Sequence, residues 1–366
     1  MQTNKTTTHL YNLDLLRALA IGLVVLQHSW TMSDMDTDQW GWLCHGYRIL
    51  ISVGVPLFIV LSGALLLDAP ILPVRDFYKR RMSRVLLPFL LWATVVYVVS
   101  FVTHKYEEVT TWQDFLLCYL PYLLTNQINE FHWFIHLILA LYLITPFLQR
   151  ALVQSNQSVV RWLLVGWSVV LVLRALWPAV FMLHYTSELF PFLGCFVAGY
   201  YLKHYCQGKS LRQWSLAALG VLILVDVLTL ARYSFVSMWM SVALTGLFLS
   251  FPMTNSPSRC ALWLSVSRYS FMFYLVHIPI VRAILTASGA EADPQQPGLA
   301  FVQPIWLALS ALTVCCLMGW VIDHLPLWVQ HLTGVTSKKG SDKVQRTKYK
   351  EQSTKYEKQS DFLSPN

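Results

Sequence analysis

Apolar residues in this chain come in runs far longer than a strand or an amphipathic surface helix needs, and polar residues gather between them. Ten such runs stand out, at about 10–30, 48–67, 85–103, 132–149, 160–178, 189–203, 213–231, 235–251, 268–286 and 301–325. Each is roughly 15–25 residues long, the length of helix that crosses a hydrocarbon core. Gly and Pro inside several of them are ordinary for membrane helices, because neighbouring helices re-satisfy the freed backbone groups. The pattern predicts an all-α, polytopic integral membrane protein of about ten transmembrane helices. One more apolar stretch, 112–126, is too short for a confident span and carries Asp114 near its start and Pro121 inside. It reads as an interfacial or re-entrant piece.

Composition agrees with lipid as the solvent. Of the 366 residues, 55% are hydrophobic and 13% charged, against about 25% charged in a soluble domain. Mean hydropathy is +0.49. The net charge of +8 sits in particular connections and in the C-terminal tail, which suits membrane orientation rather than nucleic-acid binding. Segment 69–84 carries Arg75, Lys79, Arg80, Arg81 and Arg84; Arg150 and Arg161, then Lys203, Lys209 and Arg212, then Arg259 and Arg268 follow at alternate connections. The positive-inside rule turns these and both termini to the cytoplasm. Asp34, Asp36, Asp38, Glu188, Glu291 and Asp293 fall on the opposite side. A span at 112–126 would turn Arg150 and Arg161 outward, so the charge bias keeps that stretch on the outer surface. No cleavable signal precedes Tyr11, and the first helix is expected to be retained. Residues 1–330 then form one transmembrane domain, and 331–366 a basic, Lys/Gln/Ser-rich tail expected to be disordered, with anionic lipid as its natural contact.

Ionisable residues inside such runs are functional candidates by default. The first run, LYNLDLLRALAIGLVVLQHSW, holds Asp14, Arg17 and His28. Eleven steps of 100° leave Arg17 and His28 within about 20° of one face and roughly 16 Å apart. A plain alternative is that Arg17 snorkels to one interface while His28 sits at the other. Arg81 and Arg84, three residues apart, share a helix face at the cytoplasmic mouth, where a guanidinium fork suits phosphate oxygens. The fourth run opens with Glu130, His132, Trp133 and His136, and the ninth carries Tyr274 and His277 three apart. Asp323 closes the tenth and could balance an inner Arg or meet water. The seven cysteines follow no metal-ligand spacing, and no metal site is expected. Cys44 and Cys118 fall in outer segments, where they could pair or stay as thiols.

LDLLRALAIGLVVLQH resembles the Arg-x10-His signature of the acyltransferase-3 family of integral membrane enzymes. The resemblance continues through SVGVPLFIVLSGALL, RRMSRVLLP, HWFIHLILALYLITP, the Gly-Tyr-Tyr ending of the sixth run and YSFMFYLVHIPI, over about residues 10–325. Within the family the chain is most similar to inner-membrane O-acetyltransferases of enterobacterial surface glycans. It departs in one place, reading Phe131-His132-Trp133-Phe134 where the family usually writes His-Leu-Trp-Phe. The resemblance implies O-acyl transfer in the bacterial inner membrane, with acetyl-CoA or a close relative as cytoplasmic donor and no permanently bound cofactor. The acceptor would be a hydroxyl of an extracytoplasmic polysaccharide or lipid-linked sugar. His28 would serve as general base or as acyl carrier, with Arg17 on the donor's path and Asp14 orienting it. Arg81 and Arg84 would hold the CoA phosphates, and Trp133, His132, Tyr274 and His277 would support the acceptor site. Self-association is left open. The rival reading is a transporter or flippase of an envelope glycan precursor, which would favour related halves with paired broken helices; no internal repeat is evident.

The charge pattern makes a topology prediction. Cysteine-accessibility labelling should place residues 69–84 and Ser155 inside and Ser33 outside; an outside label at Ser155 would overturn the ten-helix arrangement.

Overall fold

The computed structural model describes residues 11–33, 41–177, 189–206, 208–229, 235–251, 261–289 and 297–336. Among these residues every regular element is helical. In order they are α1 (Tyr11–Met32), α2 (Gly41–Ser52), α3 (Gly54–Leu66), α4 (Val74–Val102), α5 (Trp112–Leu124), α6 (Trp133–Gln154) and α7 (Gln157–Leu176). Then come α8 (Leu189–Tyr205), α9 (Gly208–Thr229), α10 (Phe235–Ser250), α11 (Ala261–Ser288), α12 (Pro297–Asp323) and α13 (Leu327–Thr333). A 3-10 turn, Glu130–His132, leads into α6. Eight of the described stretches are long and apolar enough to cross a membrane: α1, α4, α6, α7, α9, most of α11 and α12, and Gly46–Leu66 through α2 and α3. Two shorter helices, α8 with 17 residues and α10 with 16, occupy the remaining predicted runs. The chain is a multi-pass, all-helical membrane protein.

Three differences from the sequence reading have local causes. The third span was expected to begin at 85, yet α4 starts at Val74 and runs for 29 residues. At 1.5 Å per residue that is about 43 Å, longer than a hydrocarbon core of roughly 30 Å. The excess length accommodates the turns carrying Arg75, Lys79, Arg80, Arg81 and Arg84. The second run is two helices with a break at Val53, because Pro56 has no N–H to continue the ladder. Ser241 of α10 donates its hydroxyl to the Val53 carbonyl at 3.1 Å, which also accepts from the Leu57 amide at 3.0 Å, so α10 is tied to the break. Beyond α12, Pro326 starts the short helix α13, so the boundary expected at 330 falls inside a packed element. Trp92 of α4 donates to the Thr333 carbonyl at 3.1 Å, and the Thr336 amide donates to the Arg268 carbonyl at 3.2 Å.

The 112–126 stretch forms α5, whose 13 residues rise only about 20 Å and cannot span. Its start is capped reciprocally: the Thr111 hydroxyl accepts from the Asp114 amide, and Asp114 accepts from the Thr111 amide. The Thr111 hydroxyl also donates to the Asp114 carboxylate at 2.7 Å, and this bond, with that from the Thr111 amide, holds the carboxyl below its ordinary range. Phe115, Tyr119 and Tyr122 face the Tyr97 ring of α4, whereas Trp112, Leu116, Leu117, Leu120 and Leu124 are exposed. An exposed apolar stripe opposite a packed aromatic one is the form of an interfacial helix.

Among the described residues α3 and α8 approach backbone to backbone. A methyl group added at Gly63 would lie 1.8 Å from the Phe196 carbonyl oxygen, and one at Gly199 would lie 1.9 Å from that of Val60. Two small residues therefore let the backbones touch, which is how helices gain dispersion energy when hydrophobic driving force is absent. Around this pair α8 is buried through Phe196, Val197, Ala198 and Tyr200. On the other flank of α3, Gly54 admits Val24 of α1 less closely, with 3.0 Å to the added carbon. The expectations concerning Asp34, Asp36, Asp38, Glu188, Arg259, Glu291, Asp293 and the tail beyond 336 lie outside the described residues, as does the Cys44 side chain and with it the Cys44–Cys118 pairing.

Because the α3–α8 contact is backbone against backbone, neither side can yield by rotating a side chain. Gly63→Ala or Gly199→Ala should destabilise the protein by about 1–3 kcal/mol, read as a lower melting temperature and a smaller monodisperse fraction in detergent. Gly22→Ala, with nothing within 4 Å of the added carbon, is the control that should change neither. Equal melting temperatures for all three would refute the close-packing account.

Candidate active site

α1 carries chemistry at both ends and is held in place between them. Near its start Asn12 donates to the Phe248 carbonyl of α10 at 2.7 Å. Its middle, Ala18, Ala20, Ile21, Leu23, Val24 and Val25, is buried. That packing fixes the direction in which the two ends present their polar groups.

At the far end His28 meets two rings. The Phe131 ring lies edge-on with 4.2 Å between centroids, and the His277 ring of α11 lies at 5.1 Å. His277 is fully buried, and its Nδ1 lies 3.0 Å from the Phe273 carbonyl and 2.8 Å from that of Tyr274. A carbonyl oxygen only accepts, so Nδ1 is the protonated nitrogen and Nε2 keeps the lone pair. Tyr274 donates its hydroxyl to the Phe131 carbonyl, tying the segment before α6 to α11. His132, the N-cap of α6, is buried with its ring edge-on to Phe89 at 5.1 Å, and His136 stands one turn further at 6.3 Å from the same ring. His132 lies within electrostatic reach of both His136 and His277. Four imidazoles from α1, α11, the 3-10 turn and α6 thus form one cluster. Each has a buried ring nitrogen without a hydrogen-bond partner among the described residues: Nδ1 of His28 and His136, Nε2 of His132 and His277. An unpaired buried polar atom costs about 1–3 kcal/mol, so a cluster of them suits a polar ligand or water.

At the near end Asp14 and Arg17 form an ion pair of 3.7 Å. Ser267 of α11 donates to Asp14 at 2.7 Å, so the carboxylate that orients Arg17 is itself anchored. Arg81 lies within electrostatic reach of Arg17, Arg80 and Arg84, and the Tyr142 phenol of α6 within reach of Arg17, Arg81 and Arg84. Guanidiniums crowded in this way suit a ligand bearing several negative charges. Arg268 is different in kind. It is bonded to Asp323, which also accepts from the Tyr269 hydroxyl at 2.6 Å, so this cation is matched and pins α11 to α12. Asp323 therefore balances an Arg rather than meeting water.

The residues singled out from the sequence sort by place. His28, His132, Tyr274 and His277 gather at one end, and Asp14, Arg17, Arg81 and Arg84 at the other. Trp133 lies apart from the imidazoles' ring contacts, its indole tilted toward Phe192 of α8 at 5.9 Å. Phe131 takes the place beside His28. The cause is the 3-10 turn, which advances about 120° per residue instead of 100° and so re-phases the positions just before α6. His136, Tyr142, Ser267 and Phe131 were not among the site residues expected. His136 had a signal, the four-residue spacing from His132 that puts both on one helical face; the others are ordinary residues until the fold brings them in.

Residues 10–324 match the family model described as an acyltransferase domain, acyltransferase-3. No curated protein and no solved structure matches the chain significantly.

Proposed function

The chain belongs to the acyltransferase-3 family, and from that premise we propose that it transfers an acetyl group from cytoplasmic acetyl-CoA to a hydroxyl of an extracytoplasmic polysaccharide or lipid-linked sugar. The bacterial inner membrane is the proposed location, with both termini cytoplasmic. The observation that carries the reading is the polarity of α1, with clustered guanidiniums at one end and clustered imidazoles at the other. Their separation along the helix, roughly 16 Å, is of the order of an extended pantetheine arm. A donor whose phosphates rest on Arg17, Arg81 and Arg84 would then bring its thioester toward His28 without the nucleotide leaving the cytoplasmic mouth.

In the direct route His28 takes the proton of the acceptor hydroxyl while that oxygen attacks the thioester carbonyl carbon. A carbon–oxygen bond forms, the carbon–sulfur bond breaks, and the proton returned by His28 neutralises the departing thiolate. The products are the ester and the free thiol, with His28 neutral again. In the covalent route the imidazole attacks the thioester carbon, the carbon–sulfur bond breaks and the thiolate leaves as the thiol with the imidazole's proton. The acceptor oxygen then takes the acetyl group while its proton returns to the freed imidazole. Imidazole suits both roles because it exchanges protons near neutral pH. Self-association is not required by either.

His28→Gln keeps size and polarity, so membrane insertion should survive. Transfer of radiolabelled acetyl to glycan, normalised to protein level, should fall by about 10²–10⁴-fold; near-wild-type transfer would sink the assignment. Label trapped on wild-type protein but absent from His28→Gln would select the covalent route. At the other end, charge-assisted contacts are worth roughly 1.5–3 kcal/mol each. Arg81→Ala combined with Arg84→Ala should raise the apparent KM for acetyl-CoA at least about tenfold, and an unchanged KM would reduce the pair to topology determinants.

A further inference from the structure

We propose that His277 is the positioning residue of His28. Its Nε2 accepts the Nδ1–H of His28 and so leaves the His28 Nε2 lone pair facing the acceptor. Four observations carry this. The Nδ1 of His277 is committed to the Phe273 and Tyr274 carbonyls, so its ring is fixed on α11 and its tautomer is set. The remaining nitrogen, Nε2, is fully buried and has no partner among the described residues. The Nδ1 of His28 is likewise buried and unpartnered. The two rings stand 5.1 Å apart between centroids, roughly the span of a 2.9 Å nitrogen–nitrogen hydrogen bond plus two ring radii, so a rotation of the His28 ring could bring the two orphaned atoms together.

The arrangement does for His28 what a carboxylate does for the imidazole of a Ser-His-Asp triad, holding tautomer and orientation. It does so with a neutral acceptor, which can be buried in a membrane protein at far less desolvation cost than an ion. Tyr274 shares in the same lock, since its carbonyl receives His277 while its hydroxyl holds the Phe131 carbonyl. The proposal deepens the acyl-transfer reading and rests on it for its catalytic meaning, whereas the His28–His277 coupling can be measured without turnover.

The test compares two amides. Asn at position 277 can replace the Nδ1 donor but not Nε2; Gln places an amide near the Nε2 position and gives up the Nδ1 contact. Diethyl pyrocarbonate modification of His28, followed by peptide mass spectrometry in purified protein, reads its nucleophilicity directly. His277→Asn should slow that modification about 10-fold, the lower end of what losing an imidazole's orienting partner does, and His277→Gln should slow it less. In acetyl transfer the Asn variant should lose kcat with an unchanged KM for acetyl-CoA. Full His28 reactivity in Asn with loss in Gln would overturn the proposal and leave His277 as a backbone lock alone. Should a variant fail to accumulate, 15N-histidine-labelled wild-type protein decides: a nitrogen–nitrogen coupling across the hydrogen bond is expected, and its absence overturns the proposal. Slowed modification in Asn, together with full acetyl transfer by His28→Gln, would keep the coupling and refute the acyl-transfer reading.

Discussion

Hydrocarbon supplies no hydrogen bonds, so a polar atom this chain buries is best satisfied by a partner within the chain itself. The bundle meets much of that demand where helices meet, although among the described residues Ser29 Oγ, Trp167 Nε1 and Arg268 Nη1 are also buried without a partner. Asn12 of α1 donates to the end of α10, Ser241 of α10 to the break between α2 and α3, and Gln149 of α6 to the Leu66 carbonyl at 2.6 Å. Arg268, Tyr269 and Asp323 close a three-membered network between α11 and α12. Each of these bonds also fixes how one helix is rotated against another, so satisfying the backbone and building the tertiary structure are one act. Against that background the unpartnered imidazole nitrogens are informative. They are gathered from four separate elements into one place, which is where a membrane fold would accept a local destabilisation for the sake of a ligand.

Rigidity of the site follows from the packing beside it. α3 touches α8 through Gly63 and Gly199 and touches α1 through Gly54, so α1 leans on a helix pair that cannot slide without backbone collisions. α11 and α12 pack on its other side. His28 and His277 therefore sit on neighbouring, braced helices rather than on loops, which keeps a 5.1 Å ring separation meaningful. The Phe131 segment is the part held by a side chain, through Tyr274. It covers His28 on one side, so the Tyr274 hydroxyl ties that wall of the cluster to α11.

Much of this was legible in the sequence because lipid imposes a coarse and strong grammar. Apolar runs announced the helices, and the shortness of 112–126 announced α5. The eleven-residue step from Arg17 to His28 announced a two-ended helix, since period and rise alone fix that geometry. What stayed hidden depends on contacts between elements. Nothing in the pattern tells that Tyr142 stands among arginines, that Ser267 anchors Asp14, or that His277 meets His28 across two helices. The phase of the Phe131–Trp133 segment was hidden for a local reason: a 3-10 turn and an α-helix rotate differently, and an apolar run does not distinguish them. The start of α4 was hidden because charged residues can continue a helix past the membrane without any apolar signal.

The two ends of α1 also bear on why a transporter is the weaker reading. Between Arg17 and His28 the helix buries Ala18, Ala20, Ile21, Leu23, Val24 and Val25 against its neighbours, and these side chains offer a polar solute nothing to replace its hydration. A transported sugar would need a line of hydrogen-bonding groups through this depth, alternately open to either side. An acyl-transfer enzyme needs less. Only a thin arm must enter from one side, and only one hydroxyl must arrive from the other. Under the proposed reading the apolar middle of α1 is then a barrier that the reaction uses: it keeps the charged part of the donor at the arginines while the acetyl group alone reaches the imidazoles.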